Sequence, residues 1–266
     1  MDERHARTKM LIGDEALEIL RSSRVAVFGV GGVGGFAAEA LARSGVGAID
    51  LIDADDIAES NLNRQIVALT STLGKGKAET AAARIHDIDP SVRVTVHKIF
   101  YLPDQRGDID FTNFDYIVDA VDTVAAKLDI IASATQAGVP VISAMGCGNR
   151  LDPSKLQICD INKTFNDPLA KVVRRKLKDL GIKKLDVVFS TELPLVKQGS
   201  RKDVNGGPET SADAAADYTT ADDASADNAP ADNAPAGKTA PASMIFVPAC
   251  AGLMMAGHVC RKLTGI

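Results

Sequence analysis

The chain has 266 residues, enough for one large domain or two small ones. Its 45% hydrophobic and 24% charged residues are ordinary globular composition, and no run approaches the ~20 apolar residues of a membrane-spanning helix. The opening residues Met1 to Arg7 contain no apolar stretch of the secretory kind, so a cytoplasmic chain is expected. Four cysteines, Cys147, Cys159, Cys250 and Cys260, form no C-x-x-C pair, which argues against a zinc knuckle and a disulfide framework.

Residues 1–23 read as an N-terminal helical arm, with Leu17 and Leu20 on one helical face. From 24 to about 199, short β-branched runs alternate with helical stretches. The predicted strands are Val25–Phe28, Ile49–Ile52, Val92–Val96, Tyr116–Ala120, Val139–Ser143 and Val187–Ser190, with a further strand over Leu156–Asp160. Strands separated by helices build βαβ units, so the expected fold is α/β: a mostly parallel, Rossmann-like sheet with helices on both faces. Residues 200–242 are rich in Ala, Asp, Asn, Thr and Pro, and Ala226–Pro230 is echoed by Ala231–Pro235. So little large apolar surface does not offset ordering entropy, and a disordered insert is expected there. Residues 243–266 then supply an apolar C-terminal helix that completes the same domain, too short and interrupted to insert stably in a membrane.

The strongest local signal is the strand Val25–Phe28 running into Gly29-Val30-Gly31-Gly32-Val33-Gly34, with a helical pattern over Phe36 to Arg43 directly behind. Glycines admit a phosphate to the backbone N–H groups of such a turn, and the helix N-terminus adds partial positive charge. Asp53 closes the next strand 19 positions after Gly34, where a carboxylate can accept from ribose hydroxyls. Thus far a nicotinamide-dependent dehydrogenase fits equally well. Ser60-Asn61-Leu62-Asn63-Arg64-Gln65 and Gly76-Lys77-Ala78 break the tie, because converging Arg and Lys suit a triphosphate. Asp122, just past the strand Tyr116–Ala120, lies at the edge where open α/β sheets bind ligands and could hold Mg²⁺.

In this order, the residues from Arg24 to Asp122 resemble the adenylating superfamily of ubiquitin-activating enzymes and their bacterial relatives. The resemblance implies ATP and Mg²⁺ as cofactors. It puts Gly32 against the nucleotide, Asp53 on the ribose, Asn61, Arg64 and Lys77 on the phosphates, and Asp122 on the metal. It also implies a homodimer in which Arg7, within Arg4-x-x-Arg7, reaches the partner's site as an arginine finger. The relatives that activate sulfur-carrier proteins usually hold a zinc in two C-x-x-C pairs. This chain has neither pair, and no zinc is expected.

The second half resembles the tRNA threonylcarbamoyladenosine dehydratases, through Met145–Pro153, Asp160–Thr164, Asp167–Lys178, Val187–Glu192 and Phe246–Leu253. That resemblance implies ATP-dependent cyclisation, with net loss of water, of a threonylcarbamoyl group on tRNA next to the anticodon. A cysteine desulfurase or sulfur-acceptor system is a further partner that it admits. The alternative is an adenylyltransferase for the C-terminus of a ubiquitin-like sulfur carrier. Charge favours tRNA independently: residues 155–184 carry nine bases against three acids. Leu169, Val172, Val173, Leu177 and Leu180 repeat at helical spacing toward the core, which leaves Lys171, Arg174, Arg175 and Lys178 on an outer, phosphate-tracking face. The acidic total of −5 is partly due to residues 203–232, which hold eight acids and no base. Without them the remainder is +3.

Overall fold

The computed structural model describes residues 3–107, 109–195 and 241–266. Seven strands form one sheet: β1 (Arg24–Phe28), β2 (Ala48–Ile52), β3 (Arg93–His97), β4 (Tyr116–Asp119), β5 (Val141–Ala144), β6 (Leu156–Asp160) and β7 (Asp186–Ser190). They lie in the order β3-β2-β1-β4-β5-β7-β6, and all neighbours run parallel except the antiparallel β6 beside β7. Central strands buried on both faces explain runs such as Val25-Ala26-Val27-Phe28, which do not alternate with polar residues.

Among the described residues six α-helices accompany the sheet: α1 (Ala6–Ser22), α2 (Gly34–Ser44), α3 (Lys77–Ile88), α4 (Val124–Ala137), α5 (Pro168–Asp179) and α6 (Phe246–Thr264). On one face Ala37, Leu41, Ala81, Ile85, Ala251 and Met255, from α2, α3 and α6, pack onto Val25, Val27, Ile49 and Leu51. Gly252 permits the closest approach of α6 to α2, since a Cβ there would lie 2.2 Å from the Val33 carbonyl oxygen. On the other face an aromatic cluster of Phe28, Tyr101, Phe111 and Phe114 joins Ile130 and Ala134 of α4. Val173 and Leu177 of α5 pack with Val187 and Phe189 of β7.

The expected strands all form, with ends displaced by one or two residues. Three local features were not foreseen. Helix α1 kinks at Gly13, whose φ is +84°. Leu180 is exposed, because α5 ends at Asp179 and the chain turns through Gly181 at φ +73°. The expected insert at 200–242 lies outside the described residues except for 241 and 242.

A third feature sits where β4 meets β5. Lys127 is fully buried and donates from Nζ to Asp119 Oδ2 (2.9 Å), Ser143 Oγ (3.1 Å) and the Ala144 carbonyl (2.9 Å). Ser143 Oγ also donates to Asp119 Oδ2 at 2.6 Å, and Asp119 Oδ1 accepts from the Val121 N–H at 3.2 Å. Every polar group is satisfied, so the network locks α4 to the ends of two strands. Removing the cation leaves a buried carboxylate unpaired. Lys127→Met is therefore expected to lower unfolding free energy by about 3–5 kcal/mol, read by denaturant titration.

Candidate nucleotide site

β1 and β4 are neighbours, but α2 leaves β1 toward one face and α4 leaves β4 toward the other. That divergence opens a crevice at the carboxyl ends of the strands. The glycine turn lies in it. Gly29 takes φ +83°, and a Cβ there would stand 2.7 Å from the Ala120 carbonyl oxygen. A Cβ on Gly34 would collide with the Gly29 carbonyl at 1.8 Å. Only glycine allows this return of the chain into the first turn of α2, where the Gly35 N–H donates to the Gly31 carbonyl at 3.1 Å. Gly31 and Gly32 form the open part of the turn. Around Gly32 a Cβ would meet Pro248 at 3.4 Å and Arg64 Cγ at 3.7 Å.

Asp53 follows β2 and has two backbone donors, the Val30 N–H at 2.6 Å and the Asp55 N–H at 2.8 Å. It therefore fixes the glycine turn, and its remaining lone pairs still suit ribose hydroxyls. Burial raises its carboxyl pKa, opposed by the positive charge of Lys77 and by these two N–H groups. Asn61 is fully buried, with Oδ1 accepting from the Ala58 N–H at 3.1 Å. Arg64 donates to the Ser60 carbonyl at 2.8 Å and to Asn63 Oδ1 at 3.0 Å, which folds it back over its own turn beside Gly32.

Lys77 opens α3 and is only 4% exposed. Its Nζ lies 2.8 Å from Asp55 Oδ2, and its N–H donates to the Asp55 carbonyl at 2.9 Å. Asp55 was missed in the sequence; its only signal was a second acid two positions after Asp53. Asp122 lies three residues past the carboxyl end of β4, with an exposed side chain whose carboxylate is crowded by surrounding chain. The crowding raises its carboxyl pKa, and Lys127, Lys77 and Arg64 oppose the rise. The structure thus brings Gly29–Gly34, Asp53, Asn61, Arg64, Lys77 and Asp122 to one edge of the sheet.

The other expected residues lie elsewhere. Arg7 is exposed near the start of α1, where Arg4 pairs with Asp89 and His5 packs by Gly45. Gly45 caps the far end of the 11-residue helix α2, ~16 Å from its first turn, so Arg7 lies at the opposite edge of the sheet. Lys171, Arg175 and Lys178 are exposed along α5. Arg174 departs from the expected outer face: it is partly buried and donates to the Ile161 carbonyl (3.2 Å), the Thr164 carbonyl (3.1 Å) and Thr164 Oγ1 (2.7 Å). A guanidinium that finds three oxygens in the preceding turn is held there rather than in solvent.

The wall after β5 is built on Arg150 and Asp167. Arg150 is 5% exposed and donates to the carbonyls of Gly146, Asn166 and Glu192. Asp167 accepts from the Gly146 N–H at 3.1 Å while capping α5 through the Ala170 N–H at 2.9 Å. Asn149 takes φ +57° and joins three segments: its carbonyl accepts from the Leu195 N–H at 2.7 Å and its Oδ1 from the Ala242 N–H at 2.9 Å. Burial pushes the Cys147 thiol up to about 12, so it stays protonated at neutral pH, and burial also raises Cys159. Among the described residues, no three His, Cys, Asp or Glu side chains gather as a metal cluster.

Comparison with known proteins fits this geometry. The ThiF family model matches residues 3–266. The chain belongs to the ThiF family. Within it, the chain is 44% identical over 260 residues to a tRNA threonylcarbamoyladenosine dehydratase of Bacillus subtilis, covering 97% of this chain and 93% of the relative. It is 42% identical over 198 residues to the enzyme of that name from Escherichia coli, covering 71% and 74%. The solved E. coli dehydratase TcdA in complex with ATP superposes with a TM-score of 0.78 at 33% identity, covering 99% of this chain and 94% of that one.

For this ThiF-family cleft, titration with ATP is expected to show Lys77→Ala weakened by on the order of 2 kcal/mol, the value of a charged hydrogen bond. Asp55→Ala is expected to lose less, because the ammonium remains but is no longer pinned.

Proposed function

We propose that this chain is an ATP-dependent tRNA threonylcarbamoyladenosine dehydratase. The observation that carries the reading is that likeness to enzymes of that name spans nearly the whole chain, beyond the nucleotide-binding half. The threonyl carboxylate of the modified nucleoside is anionic and has a poor leaving group. Its oxygen attacks the α-phosphorus of ATP, pyrophosphate departs, and an acyl adenylate forms. The neighbouring ureido group then closes on the carbonyl carbon and AMP leaves, for a net loss of water. Holding both groups on one nucleoside lowers the entropic barrier to the second step.

In this reading the glycine turn and the start of α2 take the phosphates, and Asp53 takes the ribose. Arg64 and Lys77 neutralise charge that grows on the phosphates, each worth on the order of 3 kcal/mol in the transition state. Asp122 would hold Mg²⁺. An accessible carboxylate beside a phosphate site fits that ion, which commonly takes one or two carboxylates plus substrate phosphates. The protonated Cys147 and Cys159 have no part in this route, which needs no thioester.

The basic face of α5 is the tRNA contact in this proposal. Lys171, Arg175, Lys178 and Lys183 rim a groove of about 730 Å³ over Val172, Leu177 and Ile182. Such a rim binds phosphates through counterion release. Arg174 supports the turn beneath it. A homodimer completes the site, since Arg7 lies remote from the cleft of its own chain and Met10 and Leu11 near it are each 85% exposed. Among the described residues no helix is long and apolar enough to cross a membrane; the tRNA substrate itself places the proposed action in the cytoplasm.

Two measurements check the reading. AMP release should require tRNA that carries threonylcarbamoyladenosine, and the digested nucleoside should lose the mass of one water. AMP formation indifferent to tRNA would instead indicate activation of a carrier protein. For the dimer, Arg7→Ala and Lys77→Ala should each be nearly inactive alone. Mixing them under exchange conditions should restore turnover, because one site of each hybrid has both residues. Failure to restore it would place Arg7 outside the partner's site.

A further inference from the structure

The turn that leads into α5 joins the wall after β5 to the basic groove, and Phe165 lies in it between two fixed residues. Thr164 is buried and held by Arg174, whose guanidinium reaches its carbonyl at 3.1 Å and its Oγ1 at 2.7 Å. Asn166 takes φ +55°, its carbonyl accepts from Arg150 at 3.0 Å, and its Nδ2 donates to the Thr191 carbonyl at 3.2 Å. Between these clamps Phe165 is 53% exposed, with its ring 5.7 Å from that of Phe189 in an edge-to-face contact.

A phenyl ring held half in water forgoes the stabilisation that burial would give. Covering Phe189 does not call for an aromatic, because a leucine would supply apolar area there as well. The surroundings indicate what does. Lys163 is exposed two residues before the ring, and Lys171 is exposed at the first turn of α5. Among the described residues, Phe246 is the one other exposed Phe or Tyr, and it continues the apolar run Met244-Ile245-Phe246. Phe165 instead stands alone among cations and polar groups. An isolated flat ring with cations on either side fits a nucleobase, whose face stacks while the flanking phosphates meet the charge. The ring also lies toward the nucleotide cleft. Phe189 is next to last in β7, and β5 alone separates β7 from β4, so two strand spacings, ~10 Å, divide it from the strand that leads to Asp122.

We propose that Phe165 is an RNA-binding residue whose ring stacks on an unpaired base of the anticodon loop, beside the modified nucleoside that enters the cleft. The proposal rests on the tRNA reading of the α5 face. Lys171, Arg175 and Lys178 attract phosphates of any strand. Phe165 selects single-stranded RNA, since the bases of a duplex are already stacked and offer no free face.

The test is titration of the intact chain with an anticodon stem-loop RNA and with a fully paired RNA of equal length. The sequence contains no tryptophan, so Phe165→Trp adds a single indole reporter. The stem-loop should quench its fluorescence and the duplex should not, and its stem-loop affinity should equal or exceed wild type. Phe165→Leu keeps an apolar cover on Phe189 and should melt with wild type, while its stem-loop affinity falls about tenfold at an unchanged salt slope. Its duplex affinity, set by the basic rim, should be unchanged. Wild-type stem-loop affinity in Phe165→Leu, or an unquenched indole in the bound complex, would overturn the proposal and leave the tRNA reading standing. Equal losses for stem-loop and duplex with a lowered melting temperature would overturn it as well, marking a structural role. A wild-type chain that bound neither RNA would overturn both.

Discussion

The chemistry of this molecule depends on β1 and β4 being adjacent while their following helices leave toward opposite faces. Had both helices left toward the same face, no crevice would open between these two strands. Two backbone approaches keep it in shape: the Gly29 turn pressed against Ala120, and the Asp53 carboxylate gripping the Val30 N–H. The first demands a residue without Cβ, and the second demands an acceptor at the end of β2. The glycine pattern and the acid 19 positions later are the sequence record of those demands.

Charge around the crevice is held in place. Lys77 is pinned by Asp55, Lys127 by Asp119 and Ser143, and Arg150 by three carbonyls and Asp167. Pinned groups stabilise a developing charge without having to reorganise when it forms. Lys127 also connects the packing of the fold to the electrostatics of the site, since the same ammonium that locks α4 to β4 and β5 opposes the raised pKa of Asp122. Arg7 stands apart from these groups, at the far edge of the sheet beside the end of α2.

Much of this was legible in the sequence because it is local. The strands are continuous β-branched runs, the glycine turn is contiguous, and Asp53, Asn61, Arg64, Lys77 and Asp122 follow in chain order along one edge. What escaped depends on long-range pairing. Asp55 gains meaning only when α3 returns beside it, and Asn149 only when the segments at 195 and 242 meet at its αL backbone. Arg174 was read by helical periodicity, which counts position around α5. It does not count the oxygens of the 161–164 turn that draw the guanidinium inward. Leu180 matched the apolar spacing but fell one residue past the end of the helix.

The central claim is that the carboxylate of the modified nucleoside is activated as an adenylate. Threonylcarbamoyl tRNA labelled with heavy oxygen in that carboxylate tests it most directly, with mass spectrometry of the released AMP. Attack by the carboxylate on the α-phosphorus predicts one labelled oxygen in each AMP formed by cyclisation. AMP without label, or label in free phosphate with ADP as the product, would contradict the account.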